Sequence, residues 1–118
     1  MANTFKVVTN DAMPTSAGTP LALYTVPSST TTVVLGLILC NVHTTAVTAS
    51  VKLTSSTAGS NPNTNADVMV AKDVDIPAGS SLEVLSGSKL ILQTTDALQI
   101  DCSVTAKIDA SLSIMEIT

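Results

Sequence analysis

Along this 118-residue chain, apolar residues recur at every second position in short segments, and turn-forming residues punctuate them. A period of two sends alternate side chains to opposite faces of a pleated strand, whereas a helix needs a period near 3.6. Thr4–Val8 is short and rich in Thr and Val. Leu21–Val26 begins after Pro20 and stops at Pro27, since a proline cannot donate to a ladder. Ser28–Thr31 turns into Thr32–Val42, where Val33–Cys40 is apolar throughout apart from Gly36. Such a run predicts a central strand buried on both faces, or one whose second face is an interface.

The remaining segments follow the same grammar. Ala46–Leu53 alternates Val47, Ala49, Val51 and Leu53 with Thr48, Ser50 and Lys52, which predicts a half-solvated strand paired as a hairpin with Thr32–Val42. Ser55–Asn65, rich in Ser, Asn, Gly and Pro, predicts one long loop. Ala66–Ile76 carries Val68, Val70, Val74 and Ile76 at even positions, and Pro77-Ala78-Gly79 makes a turn. Leu82–Leu85, Leu90–Gln93, Leu98–Val104 and Ile108–Ile117 complete the chain. In the last, Ile108, Ala110, Leu112, Ile114 and Glu116 lie opposite Ser111, Ser113, Met115 and Ile117.

These segments predict an all-β chain forming one domain over residues 1–118, an antiparallel β-sandwich or jelly-roll-like barrel of about eight to nine short strands. The expected core is Val34, Leu35, Leu37, Ile38, Leu39, Val51, Leu53, Ile76, Leu82, Leu85, Leu90, Leu92, Leu98, Ile100, Cys102, Ile108, Leu112 and Ile114. With one Phe, one Tyr and no Trp, that core must be aliphatic.

Composition narrows the partners. Eighteen Thr and 14 Ser stand beside only 12% charged residues, about half the usual share. A surface with so little charge points to contact with other protein rather than to a free monomer. Few charges are left to guard sheet edges, so a homo-oligomer is expected, a trimer first, or an array on a larger protein. The terminal strands Thr4–Val8 and Ser111–Ile117 are the candidate contacts.

The net charge is −4, with five scattered Lys and no Arg. That argues against nucleic acid and against anionic membrane surfaces. No secretory leader and no span of about 20 apolar residues is visible, so assembly in a cytoplasm is expected. In that compartment Cys40 and Cys102 are expected as two buried free thiols.

No catalytic, cofactor or metal site is expected. His43 is the sole imidazole, in a strand-end turn where a hydrogen-bonded or solvated role suffices. Two Cys and one His lack paired zinc-ligand spacing. Asp73 with Asp75, and Asp96 with Asp101, could offer oxygens to Ca²⁺ together with Asn63, Asn65 and Asp67, but the EF-hand pattern is absent. A solvated strand face or turn caps explain these acids more simply. Phosphate-cradling glycine motifs are missing too.

One further signal lies in the order of the pieces. "MANTFKVVT", then "LYTVPSSTTTVVLGLILCNVHTTAVTASVKL", then "KDVDIPAGSSLEVLSGSKLILQTTDALQI", then "SLSIMEIT" resembles small virion structural proteins of tailed phages, nearest to those of cyanobacterial myophages. These share "YTVP" before the first core strand, an "IPAG" turn, a "TTD" stretch and an "SLS-MEI"-like last strand. The resemblance spans nearly the whole chain, and its motifs are turns and strands rather than chemistry. It implies a particle component in the virion: an exterior head decoration or cement protein first, a neck, tail or baseplate-associated part second. Its partner would be a larger phage structural protein such as the major capsid protein. A receptor- or carbohydrate-binding module on a fibre is the remaining alternative. Sugar sites usually stack aromatic rings, and only Phe5 and Tyr24 are available for that here.

Overall fold

The computed structural model describes residues 2–57, 64–85 and 87–118, and more than half of the chain lies in nine strands. They are β1 (Asn3–Met13), β2 (Leu21–Thr25), β3 (Thr31–Asn41), β4 (Val47–Thr54), β5 (Val68–Ile76), β6 (Ser81–Glu83), β7 (Leu90–Leu92), β8 (Ala97–Cys102) and β9 (Ile108–Ile117). Among the described residues there is no helix. All the pairings are antiparallel.

One sheet runs β1-β9-β3-β6, with β7 also on β3, and the other runs β2-β8-β4-β5. Because β6 and β7 pair successive stretches of the same strand, they act as one interrupted strand. The architecture is then a long antiparallel ribbon rolled into a barrel: β4 pairs β5, β3 pairs β6 and β7, β2 pairs β8, and β1 pairs β9. Rolling brings β9 against β3 and β8 against β4, which closes two sheets face to face. This order defines an eight-stranded jelly roll, one of the two architectures expected from the strand spacing.

The core between the sheets is aliphatic. Leu37, Leu39, Val51, Ile76, Leu92, Leu98, Ile100, Ile108, Leu112 and Ile114 are all but fully buried. On β9 the whole expected face, from Ile108 to Glu116, points inward. Leu53, Leu82 and Leu90, expected inside, pack at the margin and are half-buried.

Three expectations about β3 change. Its hairpin with β4 does not form, because β9 occupies one edge of β3 and β6 with β7 the other. The connection instead crosses to the second sheet. Leu35 and Ile38 leave the core, at 37% and 46% exposed. A bulge between Val34 and Gly36 adds one residue, so Val34, Leu37 and Leu39 keep facing inward while Leu35 joins Ile38 outside. Cys40 follows that outer line and is half-buried; only Cys102 lies in the core, and both thiols are unpaired. Strand β5 loses its even alternation at Asp73, where a φ of 50° marks an irregular register against β4.

The crossover from β3 to β4 is held by Asn41, a fully buried side chain. Its Nδ2 donates to the carbonyls of Thr45 (3.0 Å) and Ile76 (2.9 Å), and its Oδ1 accepts from the His43 amide (2.7 Å). Its backbone joins Ser80 and Gly79, so one residue ties the β3–β4 and β5–β6 connections together. Gly79, at φ 71°, provides the left-handed turn that this requires. At the opposite end Asp96 does a similar task. Buried, it accepts from Ser55 Oγ (2.7 Å) and from the Gln93 amide (3.0 Å), fastening the segment after β4 to the β7–β8 turn. The centre of the expected Ser55–Asn65 loop, residues 58–63, lies outside the described residues.

Candidate interaction surface

The ladder registers decide which side chains share the outer face of the first sheet. Outward positions on β1 pair with outward positions on β9, and these pair in turn with β3. The first row across the sheet is Asn3, Ile117 and Thr31; the second is Phe5, Met115, Val33 and Ile91; the third is Val7 and Ser113 beside the Leu35–Gly36 bulge. The next holds Thr9, Ser111, Ile38 and Glu83, and the last brings Asp109 to Cys40 near Asp11.

Phe5, Ile91 and Val7 are 71%, 69% and 65% exposed. Single exposed apolar residues are ordinary, but an apolar row four strands wide is not. No strand position in the first three rows is charged, and the acids Asp11, Asp109 and Glu83 gather at the far end of the face. Alternation alone assigned Met115 and Ile117 to the outside. It could not show that Phe5, Val33 and Ile91 lie beside them, because those neighbours come from distant parts of the chain.

Sheet edges are guarded by other means. Lys6 points inward from edge strand β1, β2 is short and lies between Pro20 and Pro27, and β5 carries Lys72, Asp73 and a bulge. The fourth edge is interrupted between β6 and β7. Part of the little charge in this chain, including Lys6, Asp11, Lys72, Asp73, Asp75 and Glu83, lies on strands at the sheet edges.

Beneath the apolar rows, an internal polar cluster links the two sheets. Glu116 on β9 is buried and meets Lys6 Nζ of β1 at 2.7 Å, while Tyr24 of β2 donates its hydroxyl to Glu116 Oε2 at 2.6 Å. The Thr32 hydroxyl lies 2.8 Å from that of Tyr24. Lys6 first, then Tyr24, holds the Glu116 carboxyl below the usual carboxylate range. Burial first, then the bond to Glu116, pushes the Tyr24 phenol from 10.0 up to about 12.

Folding therefore favours the protonated phenol, so this contribution is complete below pH 10 and is lost as pH rises toward 12. Glu116 has the opposite sign: its contribution is present above its ordinary range and fades as pH falls below about 4.3. As the only tyrosine, Tyr24 reports directly in an alkaline absorbance titration. Its midpoint is expected near 12 and is expected to fall, while staying above 10, in Glu116→Gln.

The acids considered for calcium are dispersed. Asp73 binds Ser50 and Lys72, Asp101 accepts from the Gly18 amide (3.0 Å), and both line a shallow polar cleft on the second sheet. Asp96 is committed to Ser55 at the other end of β8, Asp67 accepts from the Ser55 amide, and Asn65 bonds Ser55 and Thr57. Asn63 lies outside the described residues. Among the described residues no three His, Cys, Asp or Glu side chains converge on one point. His43 is half-buried in the crossover beside Asn41.

The class defined by these observations is an all-β jelly-roll sandwich with an exposed apolar patch at one end of a sheet face. No family model matches the chain, and no curated protein matches it in sequence. Two solved structures share the fold at 13% identity. A chain from Bacillus endospore appendages, described as a family of disulfide-linked pili, aligns with 99% of this chain and 87% of its own length at a TM-score of 0.50. A chain of the T13 IBDV viral particle, from work on the evolution of icosahedral viruses, aligns with 97% of this chain and 30% of its own at 0.57.

Proposed function

We propose that this protein is a structural, non-enzymatic component of a bacteriophage particle, placed on the exterior of the head as a decoration or cement protein. The observation that carries the proposal is the apolar face of the first sheet, exposed on a chain with little charge elsewhere. Both structural neighbours come from large assemblies, a pilus and a virus particle, which supports an assembling role for the same fold here. The sequence resemblance to tailed-phage virion proteins supports the particle in question.

In this role the protein binds copies of itself and a larger structural protein, the major capsid protein first. Attachment needs no chemistry beyond burial of apolar surface, with repeated weak contacts adding through avidity. Mass spectrometry of purified particles of the encoding virus is expected to find the chain in many copies. Cryo-electron microscopy of those particles is expected to place it on the capsid exterior. Density in the tail tube, or between portal and tail, would overturn the exterior placement, and absence from particles would overturn the whole proposal.

A further inference from the structure

We infer that the apolar face of the β1-β9-β3-β7 sheet is occupied by a second copy of this chain, turned end over end so that the Phe5 row of one copy lies across the Phe5 row of the other. The inference rests on the structural role proposed above and names the partner of the same face.

Charge selects the partner and its orientation. No strand position in the first three rows is charged, and the exposed Lys89 lies only at their margin, just before β7, so the best complement is another apolar sheet. At the far end the face carries Asp11, Asp109 and Glu83. Two copies stacked in the same direction would bring these acids together, and like charges at an interface are unfavourable. Turning one copy over about an axis along the Phe5 row separates them, placing one acidic end on each side. Strand β1 then lies over β1 and β7 over β7, so Phe5 meets Phe5 and Ile91 meets Ile91. Two sheets stacked about 10 Å apart in the aligned manner allow this geometry.

Size is consistent with a real but modest interface. Strands β1, β9 and β3, about 4.8 Å apart over about eight residues, with the three-residue β7 beside them, outline roughly 400 Å² of flat footprint per copy. Side chains raise the accessible area above that figure, which brings the pair to about 1,000 Å² in total, the lower bound for a specific contact. Because the edges are guarded, the face is the route left for self-association. A flat face that pairs with itself closes at two copies, whereas a trimer needs two unlike patches.

Sedimentation equilibrium of the full chain, from low micromolar to sub-millimolar, is expected to show a monomer–dimer equilibrium. Phe5→Glu and Ile91→Lys are each expected to weaken the dimer by about 100-fold. Met69→Lys, exposed on β5 in the other sheet, is expected to leave it unchanged. All three sites are exposed, so at concentrations where the parent is a monomer each variant should keep its unfolding midpoint. In a Cys40→Ser background, Phe5→Cys is expected to cross-link through a short bis-maleimide, by addition of each thiolate to one maleimide, and Asp109→Cys is not.

A chain that stays monomeric to sub-millimolar concentration overturns the inference. So does a dimer indifferent to both face substitutions, or cross-linking at position 109 in place of 5. A solution monomer still found in purified particles overturns the dimer alone. A dimer missing from particles overturns the virion assignment alone.

Discussion

Replacing Asn41 with leucine is expected to destabilise the fold by about 3 kcal/mol, read as a fall in the urea midpoint with little change in slope. The residue looks unremarkable in sequence, at the end of an apolar strand. In the structure its amide satisfies the buried carbonyl of Ile76, the carbonyl of Thr45 and the amide of His43. Leucine fills most of the space but leaves the Ile76 carbonyl unpaired where water cannot reach it, which carries most of the cost. Thr45 is exposed, so water can replace that bond and the loss there is small. Asn41→Asp separates packing from hydrogen bonding. It keeps the shape and the acceptor for His43, yet aims a carboxylate at two carbonyl oxygens, so it is expected to be no better than leucine. Recovery of stability by aspartate would show that shape, not donation, is what the crossover requires.

The second large effect is expected at Leu112. This side chain is fully buried on β9, the strand between β1 and β3 in the first sheet, where it pairs with Val8 and Leu37. Leu112→Ala removes apolar volume from a core whose buried members include no aromatic ring, and about 3–4 kcal/mol is expected. For a domain of this size that is a large part of the total stability of about 6–18 kcal/mol. Ser113→Ala, one residue further on and facing outward, is expected to change stability by less than about 0.5 kcal/mol. Chemical denaturation of the two variants tests the inward and outward assignment of β9. Equal effects would show that the register is misassigned.

Most of the fold was legible because the chain alternates cleanly where strands have one wet face. Ala46–Leu53, Leu98–Val104 and Ile108–Ile117 all gave their inward residues correctly, with Val104 at the margin. Legibility failed where geometry interrupts the period. Nothing in "VVLGLILC" marks the bulge at Leu35–Gly36 except the glycine itself, and a run apolar on both faces does not say that Leu35 and Ile38 share the exposed one. The β3–β4 hairpin failed for a different reason. Local alternation cannot show that both edges of β3 are taken by strands from far along the chain.

The same limit hid the two features that matter most. Glu116 belonged visibly to the inward line of β9, but its partner Lys6 lies at the other end of the sequence, and only the β1–β9 pairing unites them. The apolar face was half visible. A two-sided apolar run at Thr32–Val42 suggested an interface, while Phe5 and Ile91 gave no sign of lying in one row with it.

The nesting of the ribbon also sets when that row can exist. Its central strand, β9, occupies residues 108–117, far along the chain from β1, and β1 has no hydrogen-bonded neighbour in the sheet until β9 arrives. A growing chain can close β4 onto β5 early, since those strands are neighbours in sequence, but β1 must wait for residues 108–117. Truncated or half-folded chains therefore lack the complete sticky surface. The complete apolar row is assembled by the same zipping step that pairs β9 with β1 and β3.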